Sequence, residues 1–202
     1  MDGNHINGIK GNRVEVFDEN TPWEIREQIL RYHAASLMSD SERAKFLGLS
    51  ETCRIREGAK IISPENFVCG DYVWIGENAI LDASGGLTIG SHTSIGLSVF
   101  VWTHSSYRLN LKGHNIPTYK QEDGNPDIER RKTTIGSYCF ISGPSVILPG
   151  ITIGDRVVIG PLSVVDRDLP DKTIFSPAKH LELLEKRIDG LEALFEKQDN
   201  GC

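Results

Sequence analysis

From residue 55 onward the large apolar residues recur at every sixth position. That spacing belongs neither to an amphipathic helix nor to a simple alternating strand, and a fixed short period points to a repeat architecture. Ile55, Ile61, Phe67 and Val73 open the series, the phase slips by two residues, and Ile75 and Leu81 resume it. A second slip follows Leu87, after which Ile89, Ile95 and Val101 carry it on. After a long break the register runs without interruption through Ile135, Ile141, Ile147, Ile153, Ile159 and Val165. Glycine repeatedly follows the large residue, as in Ile75-Gly76, Ile95-Gly96 and Ile153-Gly154. Four positions after it stands a small or β-branched residue, among them Ala79, Thr93, Val99, Cys139, Ser145, Val157 and Ser163.

A short strand contributes one inward aliphatic side chain, and glycine relieves crowding where the chain turns to the next face. Three faces close a triangular coil, and coils stack as parallel strands about 4.8 Å apart. The pattern therefore predicts a mainly β protein, a parallel β-helix over residues 55–180 with a long excursion at 105–132. Dense β-branched residues and regular glycines exclude a helix there.

The flanks read differently. Residues 1–54 form a helical cap segment: Thr21-Pro22 starts a helix whose apolar face is Trp23, Ile29, Leu30, Leu37 and Met38, and Ser41 caps a shorter helix ending near Gly48. Its expected role is to cover the open end of the coils and their strand edges. Residues 181–202 form a C-terminal helix with a heptad-like stripe at Leu181, Leu184, Ile188, Leu191 and Phe195. That stripe packs either on the chain's own coils or around a threefold axis with two copies, being too short for a coiled coil alone.

Hydrophobic and charged shares of 39% and 25% are those of a globular protein, and no stretch reaches the roughly 20 apolar residues of a membrane span. No signal-like apolar run opens the chain, so the expectation is a cytoplasmic protein without membrane insertion. A net charge of −6 argues against nucleic acid as a partner. Cys53, Cys69, Cys139 and Cys202 show no paired metal or redox spacing, which predicts reduced structural thiols.

The segments IGENAILDASGGLTIGSHTSIGLSVFVWTH, TTIGSYCFISGPSVILPGITIGDRVVIGPLSVVDRDLP and FSPAK resemble the hexapeptide-repeat acyltransferases, nearest to sugar and surface-polysaccharide O-acetyltransferases. The resemblance implies a left-handed β-helix, a homotrimer, and acetyl-CoA bound in a groove between adjacent β-helices. It also implies that the histidine after a coil strand and before the excursion, His104, is the catalytic base. Imidazole suits that role, since a hydroxyl attacking a thioester must lose its proton near neutral pH. The other histidines, His5, His33, His92, His114 and His180, are read as solvated or packing residues.

Asp82 falls where related enzymes carry an acidic residue near the histidine or the acceptor. It either orients His104, accepts from a sugar hydroxyl, or satisfies backbone donors at a coil corner. Trp102 offers an aromatic wall to a sugar ring or simply packs. For the cofactor, the resemblance places Phe140, Ser142, Gly143, Gly160 and Pro161 along the pantetheine, and Asp166, Arg167 and Lys179 near the nucleotide. Relatives often carry an indole at the position of Phe140 and a Thr-Lys pair at Asp166-Arg167. Arg130, Arg131 and Lys132 compete for the phosphate role.

The function expected is acetyl transfer from acetyl-CoA to a sugar hydroxyl, with no metal. Three alternatives stand beside it: N-acetylation of a nucleotide-linked amino sugar, a zinc hydratase resembling the γ-type carbonic anhydrases through His92, His104 and His114, and a non-catalytic scaffold.

Overall fold

The computed structural model describes residues 38–113 and 125–199, with side chains given up to residue 191. The helix expected over 21–38, but for its last residue, lies outside the described residues, as do His5, His33, His114 and Cys202; of Phe195 only the backbone is described.

Two- and three-residue strands stack on three faces of a parallel β-helix, the left-handed hexapeptide class. The first face stacks Arg54–Ile55, Trp74–Ile75, Ser94–Ile95, Phe140–Ile141, Val158–Ile159 and Ile174–Phe175. The second stacks Lys60–Ile62, Ile80–Asp82, Phe100–Val101, Val146–Ile147 and Val164–Val165. The third stacks Phe67–Cys69, Leu87–Ile89, Thr133–Ile135 and Thr152–Ile153, and a bridge to Leu169 extends it. In-register pairing places like on like: Ile55, Ile75, Ile95, Ile141 and Ile159 form one buried ladder. Each such side chain contributes roughly 1.5–3 kcal/mol of burial, so the ladders carry the fold. The small slots Ala79, Thr93, Val99, Cys139, Ser145, Val157 and Ser163 are buried as well, and the polar ones are satisfied locally, as when Thr93 Oγ1 donates to the Gly136 carbonyl at 2.8 Å.

One reading of the repeat is corrected. The first phase slip lies within the strand Phe67–Cys69, not between Val73 and Ile75. Phe67 and Cys69 pair with Leu87 and Ile89, so third-face strands of three residues point two side chains inward. Val73 occupies the small slot that Thr93 fills one coil later. The glycines relieve crowding as expected: a Cβ on Gly76 would lie 2.6 Å from Gly96 C and Leu97 N of the next coil. Left-handed backbone at the corners is carried by Asn78, His92, Ser98 and Tyr138, with φ between 54° and 59°, as well as by glycines such as Gly58 and Gly150.

At one end, helix α1 (Asp40–Phe46) packs on the first coil, with Ala44 buried. Its cap is Ser39 rather than Ser41: the Glu42 carboxylate accepts from Ser39 N–H at 2.8 Å and from Ser39 Oγ at 2.7 Å, closing a capping box. Arg43 is buried and donates through Nε to the Ile55 carbonyl at 2.7 Å, giving a partner to an edge carbonyl of the first coil. Cys53 and Cys69 Sγ lie 3.8 Å apart, and burial together with Cys53 pushes the Cys69 thiol up to about 12.

Within the excursion, helix α2 (Tyr107–Leu111) buries Leu109, and Lys112 pairs with the buried Asp127. At the far end, helix α3 (Pro177–Asp199) begins with Pro177 at its first position and Ser176 Oγ accepting from Lys179 N–H at 3.2 Å. The stripe Leu181, Leu184, Ile188 and Leu191 is 44–59% exposed, so it does not pack on the chain's own coils. No helix among the described residues is long and apolar enough to cross a membrane.

Candidate active site

The coil ladder holds up to Trp102, whose N–H donates to the Ile147 carbonyl at 3.0 Å. There the chain leaves the coil. His104–Ser105 runs antiparallel to the returning Glu129–Arg130, with His104 opposite Arg130. The excursion thus closes on itself beside the histidine.

Beneath this departure lies Asp82, at the end of the strand one coil earlier and fully buried. Its Oδ2 accepts from Thr103 N–H at 2.8 Å, Thr103 Oγ1 at 3.1 Å and His104 N–H at 3.1 Å, and lies 2.7 Å from His104 Nδ1. Oδ1 accepts from Ser84 N–H at 3.0 Å. Orienting the imidazole and satisfying corner donors, posed as alternatives in the sequence, are therefore done by the same carboxylate. Burial alone would raise its pKa, but the hydrogen bonds from His104, Ser84 and Thr103 outweigh burial and hold the carboxyl well below the usual carboxylate range. An ionised carboxylate only accepts, so Nδ1 carries the proton and Nε2 is the basic nitrogen of the neutral ring.

Two further residues tie the site together. Ser84 Oγ stands 3.1 Å from His104 Nδ1, and Thr103 Oγ1 accepts from Gly85 N–H at 2.8 Å. A Cβ on Gly85 would lie 2.3 Å from the Thr103 carbonyl oxygen, so glycine is what lets the two coils meet here. Sequence reasoning passed over Ser84, Gly85 and Thr103. The early coils repeat every 20 residues, as Ile55, Ile75 and Ile95 show, and that pitch sets Ser84 under His104. The Trp102 ring stacks on Phe100 at 6.5 Å and meets the His104 ring edge-on at 6.1 Å, forming one wall.

The residues expected at the cofactor fall in two groups. Phe140 stands exposed on the first face beside Val158, and Ser142, Gly143, Gly160 and Pro161 follow at the next corner. Gly143 presses so close to the Leu97 carbonyl that no side chain fits there. Asp166 and Arg167 follow the last second-face strand, on the same edge as His104. Asp166 pairs with Arg167 at 3.2 Å, and the guanidinium lies over Phe175 at 5.3 Å. Both line a hollow of about 200 Å³ with Ser176, Pro177 and His180; Lys179 stands in the first turn of α3. His92 lies on a different corner from His104, stacked between Tyr72 at 4.8 Å and Tyr138 at 5.0 Å.

Residues 132–167 match the family model described as bacterial transferase hexapeptide (six repeats). The later coils thus match that repeat. Over 124 residues the chain is 29% identical to a candidate colanic acid biosynthesis acetyltransferase, WcaF, of Escherichia coli strain K12, covering 59% of each chain. It is 29% identical over 136 residues to the galactoside O-acetyltransferase of the same strain, covering 67% of this chain and 65% of that protein. The chain thus spans less than two thirds of the length of these curated relatives. Among solved structures, the N-acyltransferase AntD from Bacillus cereus, in complex with dTDP and 3-hydroxybutyryl-CoA, shares the fold. Its TM-score is 0.52 at 17% identity, covering 77% of this chain and all of AntD.

Proposed function

We propose that this chain is an acetyltransferase that moves an acetyl group from acetyl-CoA to a hydroxyl of a sugar, on a surface polysaccharide or its precursor, with His104 as general base. The observation that carries the reading is the 2.7 Å pair of His104 Nδ1 with a buried carboxylate at the mouth of the excursion. The acetyltransferase relatives support the chemistry and the sugar acceptor.

His104 Nε2 takes the hydroxyl proton as the acceptor oxygen bonds to the acetyl carbon. It returns that proton to the CoA sulfur as the carbon–sulfur bond breaks. Asp82 fixes the tautomer and stabilises the imidazolium in between. Trp102 walls the acceptor. Acetyl-CoA lies along Phe140, Ser142, Gly143, Gly160 and Pro161, and Arg167 and Lys179 hold its phosphates. Phe140, Val158 and Ile174 form an exposed apolar row that suits a pantetheine arm, and an exposed Arg167 can turn from Asp166 to a phosphate. The working form is a homotrimer with this groove between subunits, and the supply of acetyl-CoA places the reaction in the cytoplasm.

The test is thiol release with acetyl-CoA against a panel of sugars and amino sugars. His104→Ala lowers turnover roughly 10²- to 10⁴-fold and leaves CoA affinity nearly unaltered. Initial-rate lines intersect and Cys139→Ala stays active, because attack is direct. Parallel lines, or unchanged turnover in His104→Ala, refute the assignment. Product formed only on amines would move the reading to N-acetylation.

A further inference from the structure

A cleft of about 400 Å³ opens on the third face, lined by Ser84 and Arg130, which both neighbour His104. Ser84, whose Oγ lies 3.1 Å from His104 Nδ1, forms part of its rim, with Asn66, Thr88, Arg130 and Lys132 around it. This volume falls within the roughly 300–1,000 Å³ of small-ligand sites. The returning arm of the excursion sorts its charges by side. Glu129 pairs with Arg131 at 3.1 Å and with Arg108 at 3.7 Å, away from the cleft, and Arg131 leans over Gly150 of the following coil. Arg130 and Lys132, two residues apart on an extended backbone, line the cleft instead, and the Lys132 stem passes over Gly86. The carboxylate of this run is thus held on the far side while two cations face the space next to the base. Among the described residues, no carboxylate lines the cleft.

We propose that the acceptor bears an anionic group, phosphate or carboxylate, close to the hydroxyl that is acetylated, and that Arg130 and Lys132 select it. The inference rests on the transferase reading of His104 and adds the substrate class. A guanidinium fork and an ammonium together match the oxygens of either anion. It also separates these cations from Arg167 and Lys179, which serve the cosubstrate.

The experiment compares methyl galactoside, galactose 1-phosphate and galacturonate as acceptors. The wild type favours an anionic acceptor in kcat/KM by about tenfold or more, as one charge-assisted contact allows. Lys132→Glu removes that preference through the acceptor KM, Lys132→Arg restores it, and the favoured anion tells phosphate from carboxylate. An equal loss on neutral and anionic acceptors overturns the proposal. So does a loss confined to the KM of acetyl-CoA that disappears with dephospho-acetyl-CoA, since the cations would then serve the cosubstrate. Calorimetry on His104→Ala protein supplies a readout independent of turnover. Galactose 1-phosphate or galacturonate binds, and adding Lys132→Glu weakens the binding about tenfold or more. If no acceptor releases thiol, the transferase reading fails while this binding still decides the cleft; absence of binding by both anions overturns it.

Discussion

Asp82→Asn is the sharpest probe of the site, because the change is nearly isosteric and the geometry says what it removes. Five donors converge on the carboxylate, four on Oδ2 and one on Oδ1. An amide has a single acceptor oxygen. Placed at the Oδ2 position, that oxygen keeps the His104, Thr103 and backbone contacts but turns its NH₂ toward Ser84 N–H, donor against donor. The flipped amide abandons four partners instead, so the first arrangement wins. The loss is one charge-assisted bond with a part-buried donor left unpaired, about 1.5–3 kcal/mol. The neutral oxygen still selects the Nδ1–H tautomer and no longer stabilises an imidazolium, so turnover falls about 10- to 10³-fold, part of the full general-base contribution.

Urea unfolding and steady-state rates of the two proteins measure both effects. The sign of the pH dependence follows from the depressed carboxyl. Stability that Asp82 supplies is present above the unfolded value near 3.9 and is lost as pH falls below it. The gap between wild type and Asp82→Asn therefore narrows below about pH 4. Because Asp82 stays ionised far below neutrality, the acid limb of turnover carries one proton, that of His104, and activity drops as pH falls through it. Equal stability and turnover in the two proteins, or an acid limb of slope two, would refute the reasoning.

Other consequences are as direct. Gly85→Ala drives a methyl into the Thr103 carbonyl, so it displaces His104 and lowers turnover at least tenfold with little effect on CoA binding, which titration calorimetry separates. Arg167→Ala or Lys179→Ala weakens CoA more than dephospho-CoA, and equal losses would dismiss a 3′-phosphate contact. Light scattering gives about three times the 22.4 kDa chain mass, and Ile188→Glu, on the exposed stripe of α3, lowers it; a wild-type monomer at micromolar concentration would dispose of a site between subunits.

Much of the fold could be read in the chain because one side chain per six residues decides burial. The run from Ile135 to Val165 contains no slip, and its stacking follows without further information. Misreadings arose where composition is ambiguous: Val73 is large enough for the main slot yet fills the small one, and Cys69 is small yet fills the main slot. Ser41 is a good cap residue, but Ser39 wins because only it has Glu42 three positions on. The residues expected at the cofactor fall on different coils and corners, and spacing along one chain does not report which of them share a surface.

The site is legible for a deeper reason. Along the faces of the coils, N–H groups such as those of Phe100 and Trp102 donate to carbonyls of a neighbouring coil, and that ladder stops at Trp102 where the chain departs. Thr103 and His104 therefore bring two N–H groups that need another acceptor beside a buried position. A carboxylate on the preceding coil meets the need, and Asp82 stands there, its Oδ2 receiving both. The same oxygen then lies within reach of the first side chain of the excursion. An excursion, an acid about one coil before it and a histidine at its start form one physical unit: the hydrogen bonds that let the coil break also set the imidazole. Replacing Asp82 should thus loosen the root of the excursion as well as slow the chemistry, and hydrogen exchange at Thr103 and His104 should rise together with the loss of turnover.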